Sequence, residues 1–129
     1  MKKRKGIDGK LDDAWALLVK LKAGMKCEVC KKTTHLNSHH IYSRSKKSTR
    51  WYVKNGVCLC VGCHVFSSKF SAHKTPTEFT EWLINTKGVD YMDRLRIRAN
   101  SISKMHPFEK ELLLTELKKE IDENTRAKI

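Results

Sequence analysis

Apolar residues near the N-terminus recur at the spacing of an amphipathic helix. Leu11, Trp15 and Leu18 fall on one face of such a helix, and Asp12 and Asp13 favour its N-terminus. Gly24 follows the last turn of this pattern, and glycine commonly ends a helix. We therefore predict a helix over residues 11–23, with a structural role for Trp15.

The C-terminal half of the chain shows helical periodicity three more times. Thr75-Pro76-Thr77-Glu78 is typical of a helix start, because threonine can cap, proline fits the first helical position and the glutamate completes a capping box. A second helix is predicted over residues 90–100, and a third begins near Pro107. The apolar faces of the three helices comprise Phe79, Trp82 and Leu83, then Tyr91 and Leu95, then Phe108, Leu112, Leu113, Leu117 and Ile121.

The middle of the chain carries short extended runs. Residues 36–42 and 56–59 are predicted to form an antiparallel pair, followed by a helix over residues 61–70 that carries His64 on its first turn. Two strands this short are not stable alone, so a bound metal must stabilise them. The predicted fold class is α+β.

Four of the five cysteines form two Cys-x-x-Cys pairs. Cys27 and Cys30 are separated by 29 residues from Cys60 and Cys63. This spacing predicts a tetrahedral four-thiolate Zn²⁺ site. Two disulfides are the alternative, but no signal peptide is visible and we expect a cytoplasmic location. Cys58 lies in an apolar run and is predicted to be a buried core residue.

Histidines and an asparagine are interleaved with these cysteines. Asn55 follows the pair His39-His40 by fifteen positions, and His64 follows Asn55 by nine. His64 comes directly after Cys63, so a metal-bound cysteine pair would fix its position. Three histidines and an asparagine next to a metal-bound cysteine site indicate a reactive site more strongly than a single histidine does.

These residues together resemble an HNH endonuclease, the ββα-metal nuclease family, in its zinc-stabilised four-cysteine form. The resemblance is carried by Cys27, Cys30, His39, His40, Asn55, Cys60, Cys63 and His64, and it covers about a third of the chain. Ser43-Arg44-Ser45 and Thr49-Arg50-Trp51 are also similar to phage recombination-associated members. The resemblance implies a ββα-metal core surrounded by additional helices.

The length of 129 residues favours one domain with a modest core. We expect a single domain over residues 1–129, in which a basic, flexible N-terminus (1–10) precedes a packing helix (11–24). A zinc-stabilised HNH module (25–72) and a helical C-terminal extension (73–129) follow.

The resemblance further implies roles for individual residues. His39 and His64 would bind one divalent ion, His40 would be the general base and Asn55 would hold His40 through hydrogen bonds. Many relatives carry aspartate at the position of His39. The catalytic ion is therefore open among Mg²⁺, Mn²⁺, Ni²⁺ and Zn²⁺, and nitrogen ligands favour the softer ions. The third ligand is also open between Ser68, His73 and water.

Two adjacent histidines on one strand raise a geometric question. Neighbouring residues of a regular strand point to opposite faces. His39 and His40 can therefore serve one phosphate only where the strand twists or ends.

The charge of the chain favours a polyanionic partner. Lys and Arg number 27 against 14 acidic residues, a formal net charge of +13. We expect DNA as the partner, with contacts from the basic stretch between the strands that contains Arg44, Lys46, Lys47 and Arg50. Trp51 in the same stretch is expected to fold back onto the core. No apolar run is long enough to span a bilayer, so no membrane is expected.

Two functions fit the sequence. The first is a metal-dependent DNA endonuclease, phage-encoded in the host cytoplasm and associated with recombination if the closer similarity holds. The second is a non-catalytic, zinc-stabilised DNA-binding or recombination accessory module, and a recombination protein partner is left open in both cases. His35 and His106 are predicted to be surface residues without a role.

Overall fold

The computed structural model describes residues 5–126, which fold as helices packed on both faces of a two-stranded antiparallel sheet. The predicted α+β class is confirmed. In chain order the elements are α1 (Ile7–Lys22), β1 (Leu36–His40), α2 (Lys47–Arg50), a 3-10 turn (Val53–Asn55), β2 (Gly56–Cys60), a π-helical turn (Gly62–Phe66), α3 (Pro76–Lys87), α4 (Val89–Ala99) and α5 (Pro107–Arg126).

Strand β2 lies between two hydrophobic cores, and all five of its residues are buried. Val57 and Leu59 belong to the core that includes Phe79 of α3, whereas Cys58 belongs to the core between α1 and α5. This division follows from the alternation of side chains along a strand. The prediction that Cys58 is a core residue is confirmed.

Helix α1 packs against the sheet on one side and against α5 on the other. Trp15 and Leu18 are buried together with Leu114 and Leu117 of α5. Gly56 at the start of β2 is needed here, because a Cβ atom at this position would collide with Val19 of α1. The predicted packing role of this helix and the structural role of Trp15 are confirmed.

The bounds of α1 differ from the prediction at its N-terminus. The helix begins at Ile7, so residues 7–10 of the segment expected to be flexible are helical. Residues 1–4 of that segment lie outside the described residues. Gly24, with a φ of +76°, follows the helix as predicted.

The C-terminal helices begin where the sequence indicates, at Pro76, Val89 and Pro107. The predicted capping box at the first of them is wrong. The Thr75 hydroxyl accepts a hydrogen bond from the Ser71 amide (2.9 Å) and donates one to the Ser71 carbonyl (3.0 Å). It therefore closes the preceding turn and does not cap α3.

The predicted helix over residues 61–70 is confirmed only in its first part, because helical geometry ends at Phe66. The chain forms only the short π-helical turn and then reverses direction. The carbonyls of Cys63 and His64 accept hydrogen bonds from the amides of Ala72 (2.8 Å) and His73 (3.0 Å), so they are not used to extend a helix. This reversal brings His73 back beside His64.

Within residues 5–126, no helix is both long enough and apolar enough to cross a membrane.

Candidate metal centres

The four paired cysteines converge on one point. The Sγ atoms of Cys27, Cys30, Cys60 and Cys63 all lie within 4.8 Å of one another, and those of Cys30 and Cys60 are 3.5 Å apart. Four sulfurs at about 2.3 Å from a tetrahedral Zn²⁺ would be spaced by about 3.8 Å. The donor set and its spacing therefore fit a structural zinc ion.

Tight turns present these thiols. In the first pair, the Lys31 amide donates to the Cys27 carbonyl (2.9 Å), and Lys31 adopts a φ of +67°. In the second pair, the Cys63 amide donates to the sulfur of Cys60 (3.5 Å). Each pair thus points both of its sulfurs inward from a single turn.

The protonation of the thiols in the metal-free cluster is uneven. Burial raises the pKa of Cys30 and of Cys63. Burial also tends to raise the pKa of Cys27, but backbone hydrogen bonds to its sulfur outweigh this effect and lower the pKa to about 7. Because a metal binds thiolates, the cluster must release protons when it takes up an ion.

Three histidines form a second cluster. Ring nitrogens of His39, His64 and His73 all lie within 4.8 Å of one another, and the Nε2 atoms of His64 and His73 are 3.2 Å apart. His39 comes from β1, His64 from the π-helical turn and His73 from the chain segment before α3. Three imidazoles from separate segments could hold a divalent ion.

The structure places His73, one of the candidates for a third ligand, together with His39 and His64. Ser68, which would lie near His64 in a continuous helix, is exposed on the loop that replaces that helix. His73 lies nine positions after His64, and two backbone hydrogen bonds pair the segments around the two residues. His73 comes beside His64 because the loop between them closes on itself. The periodicity of side chains along the sequence does not reveal such a closure.

Two imidazoles of this cluster, those of His39 and His64, favour the neutral form. Burial lowers the pKa of His39 to about 4, and the neighbouring histidines add to the effect. Burial and the proximity of His73 likewise lower the pKa of His64. Neutral rings offer lone pairs to a cation, and His73 is exposed, so the cluster is open to solvent.

His40 lies on the opposite face of β1 from His39. Its ring stacks on Trp15 at a centroid distance of 3.8 Å, and its Nε2 atom lies 3.0 Å from the backbone carbonyl oxygen of Arg50. Since a carbonyl only accepts, we assign the hydrogen of the neutral ring to Nε2. Burial lowers the pKa of His40, so the other ring nitrogen is a free base near neutral pH.

The hydrogen bonds of Asn55 differ from those expected. Its side chain is fully buried, accepts from the Tyr42 amide (2.8 Å) and donates to the carbonyls of Tyr42 (3.0 Å) and Thr49 (3.1 Å). These bonds close the stretch between the strands and do not reach the His40 ring. Asn55 instead closes the stretch that contains Arg50, whose carbonyl is bonded to His40.

The four basic residues predicted to contact DNA fall into two groups. Arg44, Lys46 and Lys47 are exposed. Arg50 forms a two-bond ion pair with Asp12, Nε to Oδ1 at 3.0 Å and Nη2 to Oδ2 at 2.8 Å, and its side chain is only 16% exposed. The charge of Arg50 is thus already used within the fold.

Trp51 is bound to the same carboxylate. Its indole nitrogen donates to Asp12 (2.8 Å), and the side chain is buried, as predicted. Burial raises the pKa of Asp12, but the hydrogen bonds from Arg50 and Trp51 outweigh it and lower this pKa. Asp12 therefore anchors the stretch between the strands to α1.

A cavity of about 480 Å³ lies away from both clusters. Its lining includes Val19, Tyr52, Arg98 and Leu117 and none of the clustered cysteines or histidines. The cavity is thus separate from the metal centres.

The remaining histidines join neither cluster: His35 is exposed, and His106 stacks on Phe108.

Comparisons of the chain with family models, with characterised proteins and with solved structures found no match, so the two clusters themselves are the basis for assigning a function.

Proposed function

We propose that this protein is a metal-dependent endonuclease of the HNH, ββα-metal type that hydrolyses phosphodiester bonds of DNA. The observation that carries the proposal is the cluster of His39, His64 and His73, with His40 next to His39 at the end of the same strand. His64 directly follows Cys63 of the four-cysteine cluster. A zinc-bound cysteine turn would thus hold one histidine in place against the other two.

The three clustered imidazoles would hold a divalent cation. When bound, such an ion supplies Lewis-acid charge to a phosphate oxygen. Three imidazole nitrogen donors favour Mn²⁺, Ni²⁺ or Zn²⁺ over Mg²⁺. The cluster is partly exposed, so a phosphate of the DNA backbone can approach it.

His40 would act as the general base. Its Nε2–H bond to the Arg50 carbonyl orients the ring and leaves Nδ1 to accept a proton from the attacking water. The water oxygen then forms the new bond to phosphorus, the bond to the 3′ oxygen breaks, and this oxygen takes a proton from solvent. The products carry 5′-phosphate and 3′-hydroxyl ends.

The position of His40 at the end of β1 addresses the problem of opposite strand faces. The next residue, Ile41, is no longer part of the strand. A phosphate at the strand end would lie beside both faces, within reach of the cluster on one side and of His40 on the other. Asn55 and the pair of Arg50 with Asp12 would support this end by fixing the stretch that carries the Arg50 carbonyl.

DNA is the proposed substrate because of the excess positive charge and its location. Arg44, Lys46 and Lys47 are exposed in the stretch that follows the histidines of β1. Such residues neutralise phosphates without reading sequence.

The test is nicking of supercoiled plasmid by wild-type protein and His40→Ala across Mg²⁺, Mn²⁺, Ni²⁺ and Zn²⁺, with His35→Ala as a control. We expect nicking with at least one ion, a loss of about 100-fold or more in His40→Ala and none in His35→Ala. DNA affinity should stay within about twofold in all three proteins. Equal cleavage by His40→Ala would remove this residue from the reaction. DNA binding without cleavage by the wild type in any ion would favour the non-catalytic accessory module.

A further inference from the structure

A compact loop projects from the histidine cluster. Residues 65–72 lie between His64 and His73, and this loop is closed at its base by the hydrogen bonds from Ala72 to Cys63 and from His73 to His64. The ring nitrogens of the two histidines, 3.2 Å apart, close it a second time. The loop is therefore anchored on the residues that would hold the ion.

The loop is also ordered internally. The Ser67 amide donates to the Gly62 carbonyl (2.9 Å), and the Ser67 hydroxyl accepts from the amides of Lys69 (3.3 Å) and Phe70 (3.2 Å). Phe70 packs inward against Phe79 and Trp82, with centroid distances of 6.1 and 6.4 Å. The conformation of the loop tip is thus fixed from both sides.

Phe66 lies near the start of this loop, at the end of the π-helical turn, and its side chain is exposed to solvent. Its side chain is 66% exposed, in contrast to Phe70 on the same loop. An exposed ring adds little to folding stability, since it buries little apolar surface. Phe66 is two residues from His64, so their Cα atoms are at most about 7 Å apart.

Two lysines follow Phe66 within eight positions of the chain. Lys69 and Lys74, on the same loop and directly after His73, are both exposed. Lysines beside an exposed aromatic ring are the combination that binds single-stranded nucleic acid, in which bases stack on the ring and phosphates contact the charges.

We propose that Phe66 is a stacking residue for an unpaired base next to the phosphate held at the histidine cluster. The inference rests on the proposed nuclease function and names its substrate class as single-stranded or locally unpaired DNA. A base inside a duplex has both faces covered by its neighbours, whereas an unpaired base offers a free face to the ring.

The experiment measures binding of oligonucleotides that carry 2-aminopurine, whose fluorescence is quenched on stacking. The same strand is used single-stranded, fully paired and with one unpaired 2-aminopurine in a duplex, in the presence of Mn²⁺. All proteins carry His40→Ala, so that the DNA stays intact. Phe66→Ala and Phe66→Trp are compared with Phe108→Ala, which removes an equally exposed phenylalanine of α5 (71% exposed).

We expect Phe66→Ala to weaken binding of the single-stranded and unpaired DNAs by about 5- to 100-fold and to leave the paired duplex nearly unchanged. Phe66→Trp should retain the affinity of the parent protein for these DNAs and the quenching of 2-aminopurine fluorescence, because it keeps an aromatic ring. Phe108→Ala should behave as the parent protein does.

Equal affinities of Phe66→Ala and its parent for all three DNAs would overturn the inference and would favour a protein contact for this ring. If that result accompanied cleavage of plasmid by the wild type, the nuclease function would stand without it. Loss of stacking in Phe66→Ala together with a wild type inactive in every ion would instead remove the nuclease function and keep the DNA contact. Absence of DNA binding by the parent protein would overturn both.

Discussion

The Nε2 atoms of His64 and His73 lie 3.2 Å apart, although nine positions separate the two residues in the chain. Two ring nitrogens at this distance can share one proton in a hydrogen bond or can bind a common cation. His39 completes the group from a different segment, with its ring centroid 5.1 Å from that of His64. The convergence of three imidazoles distinguishes this group from isolated surface histidines such as His35.

His73→Ala tests whether the third imidazole is a ligand. Removal of one of three nitrogen donors should weaken Mn²⁺ binding by at least about 10-fold and reduce plasmid nicking in parallel, while zinc content stays unchanged. The measurement is titration calorimetry with Mn²⁺ on zinc-loaded protein. His106→Ala is the matched control, because His106 lies outside the cluster. An unchanged Mn²⁺ affinity in His73→Ala would exclude it as a ligand.

Local patterns in the sequence predicted the helices and the cysteine cluster. The apolar stripe of α5 and the proline at the start of α3 act over a few residues, so their effect can be read without the fold. The Cys-x-x-Cys spacing likewise constrains the turn that contains it.

The features that the sequence missed depend on contacts between distant segments. The pair of Arg50 with Asp12 joins positions 38 apart, and no local pattern distinguishes Arg50 from the neighbouring basic residues. The position of His73 depends on a chain reversal. In this reversal the carbonyls of Cys63 and His64 accept hydrogen bonds from Ala72 and His73 and not from the next turn of a helix. The sequence predicts that Asn55 is bonded to His40. Its partners are instead the backbone carbonyls of Tyr42 and Thr49, because the stretch between the strands closes around it.

Cys60→Ser tests the four-cysteine cluster. Loss of one thiolate should remove the zinc ion and unfold the sheet, because structural zinc sites contribute on the order of 10 kcal/mol in small modules. Zinc content by atomic emission and the thermal melt provide the measurement. Cys58→Ala is the control, since Cys58 lies two residues away in the core; it should keep one zinc ion and lose only about 1 kcal/mol. Retained zinc with a sharp melt in Cys60→Ser would contradict the cluster.

Asp12→Asn tests the anchor between α1 and the stretch that follows β1. The change leaves Arg50 without its carboxylate and weakens the bond from Trp51, so we expect a loss of about 1–3 kcal/mol in the free energy of unfolding. Urea unfolding measures it. The neighbouring Asp13 is 62% exposed and, within residues 5–126, forms an ion pair with the equally exposed Lys5, so Asp13→Asn should change stability by less than about 0.5 kcal/mol. Equal effects of the two changes would argue against the anchor.

The Asp12 variant should also slow cleavage. Arg50 both pairs with Asp12 and supplies the carbonyl that orients His40, so loosening its side chain disturbs the proposed base. The rate of nicking should fall further than the affinity for DNA. An unchanged rate in a measurably destabilised protein would separate the anchor from the chemistry.

The pKa of His39 predicts how stability changes with pH before a divalent ion binds the histidine cluster. Burial lowers this pKa from its ordinary value of 6.5 to about 4, so the unfolded chain binds more protons than the folded one between these two values. The free energy of unfolding should therefore rise as the pH increases from about 4 to 6.5 and level off above that range. A shift of this size corresponds to roughly 3 kcal/mol at most.

His39→Gln should flatten the rise of the free energy of unfolding with pH. Urea unfolding of zinc-loaded protein at several pH values measures it, and His35→Gln, at an exposed position, should leave the rise unchanged. Added Mn²⁺ should steepen the dependence in the wild type, because protons compete with the ion for the same nitrogen atoms. If wild type and His39→Gln follow the same pH profile with and without Mn²⁺, His39 is neither the buried neutral imidazole described here nor a ligand.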